Sequence, residues 1–318
     1  MAPTDLQPPK IEPVSPGLPR PLWSVMIPTF NCANYLRQTL ASVLAQDTGP
    51  EQMQIEVVDD CSTKDDPEAV VREVGKGRVA FYRKPQNAGA IANFNTCIGR
   101  SRGQLVHILH GDDYVLPGFY QTLGELAHKH PQAALFASRV FLIDEAGIIT
   151  YVADRVLELE GGSKSVRPLY YKNPLLFPGV VVRRSFYEQH GGFLPGLVHT
   201  ADCEMWARAI HVAGGVASAG VLAAYRIFAA SDTGRLARTA ENIRDTERLH
   251  RILATRHPDY DMGRSVLERC VRARQQAIFF AAKNDPDAAR ANWDYWKENA
   301  PLNLRLRHVI RTLLNKIR

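Results

Sequence analysis

No Gly-x-Gly-x-x-Gly follows the first apolar run of this 318-residue chain, and no Gly-Lys-Ser/Thr loop occurs in it, so dinucleotide-binding and P-loop chemistries lose their main support. The five cysteines, Cys32, Cys61, Cys97, Cys203 and Cys270, contain no Cys-x-x-Cys pair, which argues against a zinc site or a disulfide framework and for reduced thiols used as small apolar residues. No stretch approaches the roughly 20 consecutive apolar residues that span a bilayer, and the first residues lack the apolar run of a secretory signal. The expected compartment is therefore the cytoplasm. A strong excess of one charge is also missing: the net +6 is modest, and no nucleic-acid partner is expected. What positive charge there is gathers in the C-terminal tail.

With 45% hydrophobic and 23% charged residues, the chain can bury a large core and is long enough for one big domain plus an appendage. Prolines at 3, 8, 9, 13, 16, 19 and 21 mark residues 1–21 as a leader that should not pack and should be disordered or extended. From Ser24 short apolar runs alternate with amphipathic stretches. Strands are expected at 24–27, 54–58, 79–82 and 104–109, with helices near 35–45, 67–74 and 90–99 and another after Pro117. This spacing predicts an α/β doubly wound fold, a mostly parallel sheet with helices on both faces, over residues 22–238. Ligands of such sheets bind beyond the carboxyl ends of the strands.

Those ends carry the polar residues. The first strand runs into Pro28-Thr29-Phe30-Asn31, the second into Asp59-Asp60-Cys61-Ser62, the third into Asn87-Ala88-Gly89 and the fourth into His110-Gly111-Asp112-Asp113. An aromatic at Phe30 can stack on a base while a carboxylate at Asp60 accepts from a base N–H, giving recognition by face and edge. Asp59 and Asp60 also suit helix capping with Ser62 and Thr63. At the fourth strand end, adjacent side chains leave the pleat in opposite directions. One carboxylate can take a divalent cation while the other takes a second polar group of the same ligand.

The segments Ser24-Val25-Met26-Ile27-Pro28-Thr29-Phe30-Asn31, Val57-Val58-Asp59-Asp60-Cys61-Ser62-Thr63, Asn87-Ala88-Gly89 through Asn93-Phe94-Asn95, and His110-Gly111-Asp112-Asp113 resemble, in order and spacing, the family 2 glycosyltransferases with a GT-A fold. The resemblance covers about residues 22–235. It implies that a nucleoside diphosphate sugar is the donor and that Pro28, Phe30, Asp60, Asn87, Asn93 and Asp112 border it. Phe30 would face the base, Asp60 would bond it, Asp112 would hold the ribose and Asp113 would bind a Mg²⁺ or Mn²⁺ bridging the diphosphate.

In the second half, His199-Thr200-Ala201-Asp202-Cys203-Glu204 is similar to the family's base-bearing segment, which makes Asp202 the expected general base for an inverting transfer. The residue before it is acidic in the family and Ala201 here. Glu204 is the alternative base, and both acids also suit the N-terminal turn of a helix. Many relatives carry a late Tyr-Arg-x-His whose histidine can complete the metal's ligands, whereas this chain reads Tyr225-Arg226-Ile227-Phe228. Just beyond, Ser231, Asp232 and Arg235 are expected in a polar loop, with Arg235 offering a phosphate contact.

Residues 151–178 are where an acceptor loop is expected, and Lys164, Arg167 and Lys172 would suit an anionic partner. The acceptor itself, a glycan or a lipid-linked sugar by resemblance, is not readable. Residues 239–318 are expected as a helical module. It ends in a stripe of Leu302, Leu306, Val309, Ile310, Leu313, Leu314 and Ile317 flanked by Arg305, Arg307, Arg311, Lys316 and Arg318. Such a helix fits an anionic membrane surface, placing the protein at the inner membrane face, and equally fits packing on protein or a homodimer partner. Ala201 and Phe228 also leave room for a non-catalytic nucleotide-sugar-binding or scaffold protein on the same fold.

Overall fold

A computed structural model describes residues 7–154, 159, 161–162, 169, 171, 173–229, 231–257 and 260–306. The chain divides into two compact units, Leu6–Phe228 and a second that holds Ala229–Arg318. In the first unit the elements run β1 (Trp23–Thr29), α1 (Ala33–Leu44), β2 (Met53–Asp59), α2 (Pro67–Gly75), β3 (Ala80–Arg83), α3 (Ala90–Arg100), β4 (Leu105–Ile108), β5 (Tyr114–Val115) and α4 (Phe119–Lys129). Then come β6 (Leu135–Ile143), β7 (Ile149–Val152), β8 (Val180–Arg183), α5 (Arg184–His190), α6 (Ala201–Ala213) and β9 (Gly215–Arg226).

The sheet order is β3-β2-β1-β4-β8-β6-β9-β5, with β7 paired to β6. Strands β3, β2, β1 and β4 are mutually parallel, as the alternation of strands and helices requires. Beyond β4 the sheet is mixed: β8 runs antiparallel to both β4 and β6, β6 and β7 form a hairpin, and β9 lies parallel to β6. Every residue of β1 is buried, as befits a strand covered on both faces. Helix α1 buries Leu36, Leu40 and Val43 at i, i+4 and i+7, each fully enclosed and each contributing about 1.5–3 kcal/mol. Strand order reverses between β2-β1 and β1-β4, so the crevice beyond β1 and β4 is the topological switch point.

Two expectations need correction. Residues 7–21 of the Pro-rich leader form no helix or strand, with a turn at 16–17, but pack in part: Ile11 is buried, the Pro9 carbonyl accepts from Gly192 N–H at 2.9 Å and the Glu12 carbonyl from Arg184 Nη2 at 3.0 Å. Its backbone bonds and one apolar anchor supply what its composition lacked. Ser231 to Arg235 is not a loop. Ser231 caps helix α7 (Asp232–Arg238), its Oγ accepting from Gly234 N–H at 3.2 Å.

The second unit continues with α8 (Glu241–Arg256), α9 (Met262–Ala282) and α10 (Pro286–Asn299), all helical as expected of this module. Ala240, Ile243, Cys270, Ala273, Tyr295, Trp296 and Ala300 form its core. Most of the terminal amphipathic stripe lies outside the described residues, as do Lys164, Arg167 and Lys172; Leu302 and Leu306 are exposed. Among the described residues no helix is long and apolar enough to cross a membrane.

Candidate active site

Where β1 ends, Phe30 turns out with 46% of its surface exposed, while Asn31 takes a left-handed φ of 52°. Its Oδ1 accepts from the Thr63 and Lys64 N–H groups at 2.9 Å each and so stitches the β1 loop to the β2 loop. Pro28 is buried within β1 and is not a surface residue. Its carbonyl accepts from Gly111 N–H at 3.0 Å, and its missing N–H faces the same side, past the end of the β1–β4 register at Met26–Ile108.

Asp59 and Asp60 divide their work. Asp59 accepts from the Ser62 N–H and from Arg83 Nε, at 2.7 Å for the latter, so it shapes its own loop; the cap of α2 is Asp66. Asp60, also buried, ion-pairs Lys84 at 2.7 Å and accepts from Ala88 N–H at 3.1 Å and Gly89 N–H at 2.8 Å. Its oxygens hold the Ala88–Gly89 turn, and the expected edge contact with a base would use their remaining lone pairs. Asn87 is exposed and donates to the Asp60 carbonyl at 3.2 Å. Asn93 is buried in α3 and donates to the Val58 carbonyl at 2.9 Å, clamping α3 to β2 beneath the rim. Gly89 begins α3 at φ 85°, a backbone that other residues rarely adopt.

At the end of β4, Gly111 is closely packed: a Cβ there would lie 3.0 Å from Cys32 Sγ and 3.1 Å from Thr29 Oγ1, so both side chains would have to shift by a few tenths of an ångström. Thr39 Oγ1 reaches the Gly111 and Asp113 carbonyls at 3.0 and 2.7 Å. The most extensive support comes from Arg226, a buried residue at the end of β9 that sequence reasoning passed over. Its N–H donates to Asp113 Oδ1 at 2.8 Å, and its guanidinium donates to the carbonyls of Asp112, Asp144 and Glu145 and to Gln38 Oε1. Asp113 Oδ2, although buried, has no hydrogen-bond partner among the described residues.

His110 is held by rings. Phe94 stacks on it with centroids 5.2 Å apart, and Phe177 lies at 4.3 Å. Nδ1 lies 3.5 Å from Asp113 Oδ2. Burial pushes the carboxyls of Asp112 and Asp113 up, that of Asp112 to about 7, with the Asp113 charge adding to the shift at Asp112. At His110 burial acts downward, but the carboxylates of Asp113, Asp112 and Asp202 outweigh it and raise the imidazole above its ordinary value. That Asp202 acts on His110 ties the start of α6 to the β4 end in one electrostatic field.

On α6 the two acidic candidates separate. Asp202 is half-buried, accepts from Asn173 Nδ2 at 2.9 Å through Oδ2 and from Cys203 N–H at 2.8 Å through Oδ1, and burial lifts it to about 6. A base with that value is ionised at neutral pH yet basic enough to take a proton. Glu204 is wholly buried in an ion pair with Arg208 at 3.0 Å, and Arg208 also donates to the carbonyls of His190, Gly191 and Gly192. Two residues on a helix are about 200° apart, so Glu204 faces into protein when Asp202 faces the rim. Of the two candidate bases, Glu204 is thus the one held inside the protein by Arg208.

Phe228 packs on Tyr35 with centroids 5.3 Å apart, filling the late-histidine position with an apolar ring. Arg235 belongs to the second unit, where it is exposed and pairs with Asp232 at 3.1 Å. His110, Asp112 and Asp113 are thus brought together at the β4 end within the field of Asp202, Phe30 stands exposed at the neighbouring β1 end, and Asp60, Asn93 and Pro28 hold the strand-end loops. Sequence reasoning missed His110, Arg226 and Asn173. Position beside the acidic pair was the only signal for His110; Arg226 stood in the late Tyr-Arg-x-His segment without a role of its own, and nothing local marked Asn173.

A doubly wound half that carries an acidic pair at its switch point, faced by a carboxylate at a helix start, defines a GT-A-type glycosyltransferase. Residues 24–190 match Glycosyl transferase family 2, and the chain belongs to that family. It is 28% identical over 247 residues to Uncharacterized protein MT1568 of Mycobacterium tuberculosis, covering 74% of this chain and 76% of that one. In fold it is similar to TarS residues 1–349 of S. aureus in complex with UDP-GlcNAc, with a TM-score of 0.54 at 15% identity over 87% of this chain and 91% of that one. It is also similar to the mannosyltransferase PcManGT of Pyrobaculum calidifontis in complex with GDP-Man and Mn²⁺, with a TM-score of 0.53 at 16% identity over 98% and 83%.

Proposed function

We propose that the protein moves a sugar, with inversion, from a nucleoside diphosphate donor to a hydroxyl of a glycan or lipid-linked acceptor, as part of cell-surface glycan synthesis, and that it requires Mg²⁺ or Mn²⁺. The observation that carries this reading is the Asp112–Asp113 pair at the switch point, with Asp113 buried and its Oδ2 left without a hydrogen-bond partner among the described residues. Solved structures similar in fold hold UDP-GlcNAc in one case and GDP-Man with Mn²⁺ in another.

Phe30 offers its exposed ring to the base, Asp60 holds the Ala88–Gly89 turn as the edge of the base pocket, and Asp112 takes the ribose. The residues fit a cation: ligand atoms of His110, Asp112 and Asp113 lie within 4.8 Å of one another, and an oxygen buried without a hydrogen bond gains most from a positive partner. When bound, such an ion would neutralise charge on the leaving diphosphate. Asp202, fixed by Asn173, takes the proton of the acceptor hydroxyl as it attacks the anomeric carbon. The terminal basic stripe supports a peripheral place at the inner membrane face.

The test is ligand-dependent stabilisation. A donor at about 100 times its Kd adds roughly 2.7 kcal/mol, so thermal scans with UDP-GlcNAc, GDP-Man and other nucleotide sugars in Mn²⁺ should single out one donor family. Transfer from that donor should then be lost in Asp113→Asn. A protein stabilised by no nucleotide sugar, with or without Mn²⁺, would leave this reading without its donor.

A further inference from the structure

We infer that His110 is itself a ligand of the cation at the Asp112–Asp113 site, supplying through its imidazole the nitrogen that Phe228 cannot offer from the end of β9. The inference rests on reading Asp113 as the cation's carboxylate ligand and adds the identity of its neighbour in the coordination sphere.

Three observations carry it. First, the Arg226 N–H occupies Asp113 Oδ1 at 2.8 Å, which leaves Oδ2 as the oxygen available for a metal. Second, His110 Nδ1 lies 3.5 Å from that oxygen. This is too long for a good hydrogen bond, yet two ligand atoms bound at about 2.0–2.2 Å and roughly 90–110° apart around one ion are separated by about 3.0–3.5 Å. Third, the imidazole is aimed by packing: Phe94 and Phe177 fix its plane, and Nε2 has no partner among the described residues that would draw the ring elsewhere. A ring so fixed beside a buried oxygen that lacks a hydrogen bond is preorganised for an ion.

The consequence is selectivity. Mg²⁺ prefers oxygen ligands and keeps several waters, whereas an imidazole nitrogen favours transition-metal ions along the Irving–Williams order. Replacing His110 should therefore weaken Mn²⁺ and Co²⁺ more than Mg²⁺. Phe228 is no obstacle, because the nitrogen enters from β4 and leaves the β9 end free to pack on Tyr35.

The experiment uses the full chain labelled with ¹⁵N-histidine, with Mn²⁺ and either UDP or GDP as the probes, read by pulsed electron paramagnetic resonance. The expected result is ¹⁵N coupling to the bound Mn²⁺, lost in His110→Phe, a variant that keeps an aromatic ring between Phe94 and Phe177. Mn²⁺ affinity in that variant should fall by about 10-fold or more, the scale on which even indirect partners of a metal act, while Mg²⁺ affinity falls less. Mn²⁺ binding that depends on Asp113 but shows no histidine coupling would overturn the inference and leave the cation reading standing. If neither nucleotide brings Mn²⁺ to the wild-type protein, both fall together. Should His110→Phe fail to fold, the labelled wild-type spectrum and the milder His110→Gln variant decide the question.

Discussion

Replacing Asp202 by Asn should make the protein more stable and nearly inactive, a combination that only a base held against its own solvation predicts. Burial lifts this carboxyl from 3.8 to about 6, a native-state cost of about 3 kcal/mol once the group is ionised. Because the folded value lies above the unfolded one, the cost is absent below about pH 4, grows between about pH 4 and 6, and is complete above that. An Asn carries no charge and escapes it. It has one acceptor oxygen, however, so either the Asn173 bond or the Cys203 bond is lost, at about 1 kcal/mol. The variant should therefore gain about 2 kcal/mol at pH 7 and lose about 1 kcal/mol at pH 4. Urea unfolding at both pH values reads the crossing, and kcat should fall by about 10²–10⁴-fold with donor affinity little changed. In the wild type the same ionisation should depress kcat/KM about 10-fold at pH 5 relative to its plateau. An Asp202→Asn protein that is less stable at pH 7 by about 0.3–1 kcal/mol and fully active would mean that the carboxylate merely serves the helix N-terminus, and the assignment would be wrong.

Asp113→Asn should abolish turnover and the metal dependence of nucleoside diphosphate binding while circular dichroism stays native; metal-dependent binding that persists would remove Asp113 from the cation site. Glu204→Gln breaks a buried pair with Arg208 and should cost about 3 kcal/mol in urea unfolding with kcat nearly unchanged, whereas a stable but dead variant would reinstate Glu204 as the base. Phe30→Ala, at an exposed ring, should weaken nucleotide binding by about 0.5–1.5 kcal/mol with no loss of Tm, as calorimetry can check. Deleting residues 302–318 should release the protein from anionic vesicles at low salt, where each basic residue contributes about 1 kcal/mol, and preserve transfer to a soluble acceptor; a truncation that unfolds the enzyme would assign the stripe to protein packing.

Residues whose role depends on local order were legible in the sequence, and residues whose role depends on distant partners were not. Strand and helix periods through Asp113 placed β1 to β4 close to their observed limits, because each element of a crossover sheet carries its own apolar pattern. The mixed half was less legible: β8 and β9 owe their places to pairings with β4 and β6 that no local period encodes. The same split runs through the site. Asp112, Asp113 and Phe30 sit at strand ends that their own segments define. Arg226 reaches the acidic pair from more than 100 residues away along the chain, 113 from Asp113, and its partners are mostly backbone carbonyls, which leave no trace in side-chain identity. Pro28 and Asn93, expected at the donor, support the rim from beneath, since a motif marks a position without saying whether its side chain or its backbone is used.

Arg226 also explains how the site keeps its acids ready. A guanidinium that paired directly with Asp113 would lower its carboxyl and fill the oxygens that a cation needs. Instead the side chain spends its donors on the carbonyls of Asp112, Asp144 and Glu145 and on Gln38, and only the backbone N–H meets a carboxylate, at Oδ1. Its charge still acts through space, countering part of the upward push of burial on both aspartates. The arrangement fixes the β4 end against β9 and the β6–β7 turn while Oδ2 stays without a hydrogen bond among the described residues. Positive charge is thus near enough to moderate the repulsion of two adjacent acids, yet it does not occupy the oxygen on which the proposed chemistry depends.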